Sequence, residues 1–274
     1  MTNEQHSTPA SRQAIEAAEI ARLARRAIAV LAADRPGRAD GITQRLGQLC
    51  DAFLSLEEDQ RHDMVMRLRQ DGVTTHEIID HIVPAAAAMM GDRWFADEIS
   101  FAHVTIGAAR LQEAVRVLGW HDPSRDYRQV PAPALLLIIP RGEDHTLGTF
   151  VLADQLRRRG YQVDMAIDRS PREVAEMVHK RRYSMVGITV SGRRTIASAR
   201  ELVDMIRLTV TRVTPVVIGG AILDKEYDAL TLTGADHTAR DAGSALRRCG
   251  LDPVLATASP QELVDADGAR MDRL

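Results

Sequence analysis

A short polar segment follows the most apolar run of the chain and carries the side chains best suited to chemistry. The run extends from Ala134 to Ile139, and the segment after it includes Glu143 and His145. In an open parallel sheet, ligands bind in the crevice outside the carboxyl ends of the strands. An imidazole whose second nitrogen is held by a carboxylate is oriented and becomes a better metal ligand. We therefore expect a ligand site here, although an ordinary surface histidine beside acidic residues also fits this segment taken alone.

Two further positions fall on the same predicted edge of the sheet. Thr189 ends the third predicted strand, and the pair Gly219-Gly220 ends the fourth. Paired glycines after a strand permit the close approach of a long ligand, because no Cβ blocks its path. A Gly220→Val change is therefore expected to block the ligand while leaving the fold intact.

The elements that must hold these residues follow two different periodicities. Before residue 130 the apolar residues recur at helical spacing, and no strand pattern occurs. After residue 133, short apolar runs alternate with amphipathic helices, as in βαβ units. The sequence therefore predicts an α plus α/β protein, in which a helical bundle precedes a doubly wound, Rossmann-like or flavodoxin-like, parallel sheet. The predicted parts are a tail and Arg-rich helix at 1–38, a helical-bundle domain at 39–121, a linker at 122–133, an α/β domain at 134–253 and a C-terminal tail at 254–274.

Local signals place the ends of these elements. Thr74 or Thr75, with an acidic residue soon after, predicts a helix N-cap, and Asp71-Gly72 ends the preceding helix. Pro84 falls inside a helical pattern and predicts a bend. The predicted helices cover 11–33, 42–56, 57–70, 75–90, 100–118, 149–159, 172–182, 196–210 and 242–249, and the predicted strands cover 134–139, 162–167, 184–190, 213–218 and 235–239.

Composition excludes several classes of protein. The 274 residues are 45% hydrophobic and 27% charged with a net charge of −3, a globular mixture that disfavours binding to nucleic acid through overall charge. Cys50 and Cys249 are the only cysteines, which excludes a disulfide scaffold and a four-cysteine metal site. No dinucleotide fingerprint or P-loop motif occurs. The apolar runs are far shorter than the ~20 residues of a membrane span, and no secretory signal is visible, so we expect a cytoplasmic protein with no membrane partner.

The residues at the predicted sheet edge resemble the cobalamin-binding domain of methionine synthase and of related mutases and methyl carriers. The pattern of that family is D-x-H-x-x-G, then S-x-L, then G-G, and the resemblance spans roughly residues 134–250. Glu stands here for Asp, Thr for Ser and Ser for Leu, and the first two exchanges keep the hydrogen-bonding groups. The matching residues are Glu143, Asp144, His145, Thr146, Leu147 and Gly148, then Thr189, Val190 and Ser191, then Gly219 and Gly220.

The resemblance implies a role for each part of this pattern. In that family a histidine replaces the dimethylbenzimidazole of cobalamin as the lower ligand of cobalt, and the displaced nucleotide tail enters the sheet. Carried over, His145 is the lower axial ligand of cobalt and Glu143 orients it. Thr189 meets the buried tail, and the pair Gly219-Gly220 lets the tail pass. The relay hydroxyl of the family falls on Thr195.

The helical half resembles the cap that covers the upper face of such cobalamins. The similar stretches run from Pro84 to Trp94 and from Ile99 to Gly107. A tryptophan at the exposed end of a helix suits an apolar surface such as the corrin face. The alternative is that Trp94 is a core residue between helices. His103 either reaches the cobalt or is an ordinary histidine on the surface of its helix.

Over nearly its whole length the chain resembles the AerR/PpaA family, the cobalamin-dependent antirepressors of photosystem genes in purple bacteria. That family is related to the photoreceptor repressor CarH, but no helix-turn-helix precedes the cap here, and Val104-Thr105 stand where CarH has a Glu-His pair. The chain is also too short to contain the substrate barrel of a mutase. The resemblance therefore implies a light-responsive regulator that is not an enzyme and that associates with DNA only through a transcriptional repressor. Two alternatives stay open, a corrinoid methyl carrier of a methyltransferase system and a haem-binding sensor that uses His145.

Overall fold

The computed structural model describes residues 39–120, 132–210, 214–225 and 227–251. The chain divides into two compact units, Met1–Ser124 and Arg125–Leu274. The described part of the first unit consists of helices and turns, whereas that of the second contains a sheet with helices. The predicted Arg-rich helix, most of the predicted linker and the predicted C-terminal tail lie outside the described residues.

The described helices of the first unit begin and end close to the predicted positions. The hydroxyl of Thr74 accepts a hydrogen bond from the N–H of Glu77, and the Glu77 carboxylate accepts one from the N–H of Thr74, which confirms the predicted N-cap. The N–H of Val83 bonds to the carbonyl of Ile78, and this π-helical turn comes just before Pro84, which lacks an N–H. The elements are α1 (Ala39–Leu54), α2 (Glu58–Gln70), α3 (Thr75–Glu77), the π-helical turn Ile78–Ile82, α4 (Val83–Phe95) and α5 (Phe101–Trp120).

The core of the first unit lies where α1, α4 and α5 pack together. An added Cβ on Gly107 of α5 would lie 2.6 Å from Sδ of Met90, so the absence of a side chain there lets the two helices approach closely. Cys50 of α1 is buried, and its thiol donates a hydrogen bond to the carbonyl of Ala86. Burial raises the pKa of the Cys50 thiol to about 12, so this cysteine is not a reactive thiolate at neutral pH.

The second unit contains a five-stranded parallel sheet with the strand order β2-β1-β3-β4-β5. This order is that of flavodoxin-like doubly wound folds, and it confirms the predicted fold class. From β1 the chain first adds β2 on one side, and it then adds β3, β4 and β5 on the other side. The topological switch point therefore lies between the neighbouring strands β1 and β3. The elements are β1 (Ala134–Ile139), α6 (Leu147–Arg158), β2 (Gln162–Ile167), α7 (Pro171–Lys180), β3 (Met185–Thr189), α8 (Arg193–Thr209), β4 (Val216–Gly219), a 3-10 helix (Ala221–Asp224), α9 (Ala229–Thr233), β5 (His237–Thr238) and α10 (Ala242–Arg248).

Strand β1 is buried on both faces, as its continuous apolar run predicts. Because side chains alternate along a strand, Leu136 and Ile138 join a core cluster that contains residues of α7 and α8. Leu135 and Leu137 join a second cluster with residues of α6 and α10. The sheet is therefore covered by helices on both faces, and its carboxyl edge remains as the place for a ligand.

Helices α6 and α8 begin two and three residues earlier than predicted, at Leu147 and Arg193 instead of residues 149 and 196. The first residues of α8 are polar, so apolar periodicity gives no signal for them. In the same way, α4 continues beyond the predicted end at Met90 to Phe95, so Trp94 lies within a helix. No helix in the described part of the chain is long and apolar enough to cross a membrane.

Candidate functional site

The loops that leave β1 and β3 are joined by the carboxylate of Glu143. This side chain is only 1% exposed. Its Oε2 accepts a hydrogen bond from the N–H of Ser191 at 2.8 Å. The hydroxyl of Ser191 lies 2.6 Å from Oε1 and 2.8 Å from Oε2 of the same carboxylate. The connection therefore crosses the switch point of the sheet, where this fold binds its ligands.

A second hydroxyl reaches the same carboxylate from the first turn of α8. Oγ1 of Thr195 lies 3.1 Å from Oε2 of Glu143 and 3.2 Å from the carbonyl oxygen of Gly192. Thr195 is buried. The structure thus brings Glu143 together with Thr195, the residue on which the relay hydroxyl of the family falls.

His145 lies on the solvent side of Glu143, with 71% of its side chain exposed. Its backbone N–H donates to Oε1 of Glu143 at 3.0 Å, and its ring Nδ1 lies 3.0 Å from the same oxygen. An ionised carboxylate only accepts hydrogen bonds, so Nδ1 carries the ring proton. In the neutral imidazole the lone pair then belongs to Nε2, which is the nitrogen that can bind a metal.

The ionisation of Glu143 follows from its surroundings. Burial by itself raises the pKa of this carboxyl, but hydrogen bonds from the side chains and backbone N–H groups of His145 and Ser191 outweigh burial and lower the pKa to about 2. Glu143 is therefore a carboxylate at neutral pH. A permanent negative charge beside Nδ1 makes the imidazole of His145 a stronger donor through Nε2.

The remaining residues of the first loop have other surroundings. The carboxylate of Asp144 forms an ion pair with Arg194 at 2.8 Å, and both side chains are exposed. Thr146 is the N-cap residue of α6, and Leu147 is the first residue of that helix. Gly148 is exposed, and an added Cβ there would meet no atom within 4 Å. The open space beside Gly148 can therefore receive a ligand without any change of the protein.

Thr189 meets a residue that the sequence analysis missed. Its hydroxyl oxygen lies 2.8 Å from Oγ1 of Thr149, which is buried in the first turn of α6. The pair joins the end of β3 to α6, beside the loop that carries His145. Val190, which follows Thr189, is buried in the apolar core instead of lining the loop surface. Thr149 could have been found from the sequence by its position, because it directly follows the pattern that ends in Gly148.

The two glycines after β4 are needed by the backbone of the protein itself. Gly220 has a φ of +97°, and an added Cβ would lie 2.6 Å from the carbonyl oxygen of Val190. An added Cβ on Gly219 would lie 3.3 Å from the carbonyl oxygen of Ala239. The expectation that Gly220→Val disturbs only the ligand is therefore wrong, because the substitution clashes with the adjoining loop and strains a left-handed residue.

In the helical unit, Trp94 lies at the surface and is not a core residue. Trp94 is 38% exposed, and its ring centroid lies 5.8 Å from that of Phe101, which is 67% exposed. Phe95 beside it is also exposed. Trp94, Phe95 and Phe101 therefore present apolar side chains at the surface of the helical unit.

The imidazole of His103 contacts a helix-capping serine, whereas that of His145 contacts a carboxylate. Its N–H donates to the hydroxyl of Ser100, and its Nδ1 accepts from the N–H of Ser100 at 3.3 Å. This is the reciprocal pattern of a capping box, with the imidazole in the place of the usual Glu or Gln. The hydroxyl oxygen of Ser100 also lies 2.8 Å from Nδ1, a contact in which either atom can be the donor. The cap therefore engages Nδ1 of His103 at the start of α5.

Comparison with known proteins agrees with this geometry. Residues 135–248 match a family model described as the B12 binding domain, and residues 46–118 match a second model with the same description. An uncharacterized 20.5 kDa protein in the bchF-crtJ intergenic region of Rhodobacter capsulatus is 33% identical over 169 residues, 62% of this chain and 88% of that protein. The chain belongs to the B12-binding family. Both units of this B12-binding protein contain residues that match the family, and the protein binds cobalamin.

A solved structure shows the same fold. The monomethylamine corrinoid protein of Methanosarcina barkeri aligns with a TM-score of 0.59 and 19% sequence identity, over 75% of this chain and 96% of that chain. At this identity the likeness concerns the fold alone.

The donor set at the switch point fits cobalamin. Cobalamin would supply a cobalt already held by its corrin ring, to which the protein would add one donor atom. His145 offers Nε2 at an exposed position, and the buried carboxylate of Glu143 holds the opposite ring nitrogen at 3.0 Å. The space around Gly148 is open on the same loop. The described residues therefore provide both an oriented donor and room beside it.

Proposed function

We propose that this B12-binding protein is a light-responsive regulator that acts in the cytoplasm through a partner repressor and is not an enzyme. The main support is the 33% identical Rhodobacter capsulatus relative, whose name places it between bchF and crtJ. The resemblance of the sequence to the antirepressors of photosystem genes supports the same role. Association with DNA then occurs through the repressor.

In this proposal His145 is the lower axial ligand of cobalt. Bound cobalamin supplies a cobalt whose bond to its upper ligand visible light can break. The chain contributes the fixed lower donor, because Glu143 holds the proton on Nδ1 and leaves the lone pair on Nε2. Thr189 and the open space beside Gly148 are proposed to meet other parts of the cofactor.

Substitution of His145 tests the ligand assignment. His145→Ala should weaken cobalamin binding by more than the ~10–100-fold that outer-shell changes cost, and it should remove the spectrum of histidine-ligated cobalamin. Asp144→Asn is the matched control. Asp144 is the adjacent exposed residue, and loss of its ion pair with Arg194 leaves the hydrogen bonds of Glu143 intact. If His145→Ala keeps both the affinity and the visible spectrum of the wild type, His145 is not the ligand.

The light response is proposed to depend on Trp94. This ring is exposed on the helical unit, and the family resemblance assigns it to the upper face of the corrin. Trp94→Ala should still bind cobalamin but lose most of the difference between dark and illuminated samples in binding to the repressor. Phe95→Ala is a matched control, because it removes a neighbouring exposed aromatic side chain of the same helix.

The visible spectrum of the cobalamin-loaded protein, recorded before and after illumination, tests the function as a whole. Corrin bands that change with light, together with repressor binding that changes in parallel, are the expected result. If light changes neither, and a methyltransferase turns over bound methylcobalamin, the protein is a corrinoid methyl carrier. A Soret band in the purified protein would instead indicate haem.

A further inference from the structure

Two departures from the family pattern are in direct contact. Glu143 stands where the pattern has Asp, and Ser191 stands where it has Leu. In the structure the N–H and the hydroxyl of Ser191 both reach the Glu143 carboxylate, at distances between 2.6 and 2.8 Å. A leucine at residue 191 would lack the hydroxyl, and one carboxylate oxygen would lose a donor in a buried place.

The extra methylene of Glu143 lengthens the side chain that connects the two loops. One carboxylate must accept from His145 on its own loop and also from Ser191 on the loop after β3. An aspartate is shorter by one carbon–carbon bond, so the same two contacts would require the two loops to lie closer together. The longer side chain and the hydroxyl that receives it therefore form one unit.

The contact from Thr195 is the weaker of the two hydroxyl contacts. Its Oγ1 lies 3.1 Å from the Glu143 carboxylate and is also within hydrogen-bond distance of the Gly192 carbonyl oxygen. Ser191 contributes two donors at shorter distances, one of which belongs to the backbone. On the β3 side of the site, Ser191 therefore contributes more than Thr195 to the position of the Glu143 carboxylate.

We propose that Ser191 is a positioning residue for the lower ligand of cobalt. It holds the Glu143 carboxylate across the switch point, so that Glu143 keeps the proton on Nδ1 of His145 and directs Nε2 toward the metal. The inference rests on the proposed ligation of cobalt by His145. Ser191 acts only through Glu143, so removal of its hydroxyl should have no further effect once the carboxylate is absent.

The test uses the full chain loaded with cobalamin and reduced to cobalt(II). The protein is labelled with 15N-histidine, because the benzimidazole of cobalamin also gives a nitrogen splitting. Electron paramagnetic resonance then reports a coordinated histidine through a two-line 15N splitting, which is the splitting compared among the variants, and a coordinated benzimidazole through a three-line 14N splitting. Ser191→Ala should weaken cobalamin binding roughly tenfold, at the lower end of outer-shell effects, and should give a mixture of nitrogen-ligated and unligated signals. Ser191→Thr keeps the hydroxyl and should restore both the affinity and the splitting.

Two controls separate positioning from a general loss of structure. Arg194→Ala removes an exposed side chain from the first turn of α8 that pairs with Asp144, and it should leave the splitting unchanged. Glu143→Ala should lose affinity, and the double variant with Ser191→Ala should bind no more weakly than Glu143→Ala alone. Circular dichroism of each variant shows that the sheet is folded.

The outcomes distinguish this inference from the assignment of the ligand. Wild-type protein without 15N splitting would overturn the ligation by His145 and this inference with it. Splitting and affinity that are normal in the wild type and unchanged in Ser191→Ala would overturn the role of Ser191 alone. Effects of Ser191→Ala and Glu143→Ala that add in full would do the same, because Ser191 would then act by another route.

Discussion

Glu143→Gln should destabilise the α/β unit even without cofactor, by an amount that depends on pH. Glutamine keeps the shape of the side chain but replaces one acceptor oxygen with an NH2 group, which then faces donors from Ser191 and His145. In the wild type, burial raises the pKa of Glu143, but the hydrogen bonds from these residues lower it from 4.5 to about 2. At ~1.4 kcal/mol for each pKa unit, the ionised carboxylate contributes about 3 kcal/mol to the free energy of unfolding at neutral pH.

The sign of the pH dependence follows from the direction of this shift. Because the pKa is lower in the folded protein than in the unfolded chain, the contribution of Glu143 is complete above the unfolded pKa of 4.5 and is lost as pH falls toward the folded pKa of about 2. The difference between wild type and Glu143→Gln should therefore shrink by about 1 kcal/mol at pH 4 and by about 2 kcal/mol at pH 3. Glutamine does not titrate, so the dependence belongs to the wild type.

Urea unfolding followed by circular dichroism measures this difference at each pH. Asp144→Asn is the control, because its exposed ion pair with Arg194 is worth only ~0–1 kcal/mol. A difference between wild type and Glu143→Gln that stays constant from pH 7 to pH 3 would refute the reasoning. A loss of stability in Asp144→Asn as large as that in Glu143→Gln would refute it as well.

Three further substitutions test separate parts of the structure. Gly148→Ala should raise the free energy of unfolding by up to ~1 kcal/mol, because alanine is favoured in helices and its Cβ meets no atom within 4 Å. Cobalamin affinity, measured by titration, should fall about tenfold if the cofactor occupies that space. Gly220→Ala should lower the free energy of unfolding, measured by urea unfolding, by at least ~1 kcal/mol, because its Cβ would lie 2.6 Å from the carbonyl oxygen of Val190. Ser100→Ala removes a helix cap and should cost ~1 kcal/mol in thermal unfolding, with no change in the spectrum of bound cobalamin.

The sheet could be predicted from the sequence because its three central strands, β1, β3 and β4, are largely buried. The run from Ala134 to Ile139 has no polar residue, and its bounds in the structure are those of the predicted strand. The first two residues of α6 and the first three of α8 lie outside the predicted helices, because the apolar spacing that marks each helix begins only after them. One of them is Thr195, whose hydroxyl contacts Glu143. Periodicity therefore locates a core more reliably than it locates the edge where ligands bind.

The site itself could be predicted only in part. Glu143 and His145 are two residues apart on one loop, and the contact between them is short-range, so their spacing predicted it. The contact between Glu143 and Ser191 joins residues 48 apart and depends on β1 and β3 being neighbours. A pattern with Leu at this position gives no sign of that contact, because a leucine side chain has no hydroxyl to donate.

The two candidate cobalt ligands show why residue type and position do not decide a role. Both His145 and His103 lie near the start of a helix. In His145 a carboxylate accepts from Nδ1, which leaves the lone pair on Nε2. In His103 the N–H of Ser100 donates to Nδ1, and the hydroxyl of Ser100 lies 2.8 Å from the same nitrogen. The partner of Nδ1 is thus a buried carboxylate in the histidine that we propose as the cobalt ligand, and a helix-capping serine in the other.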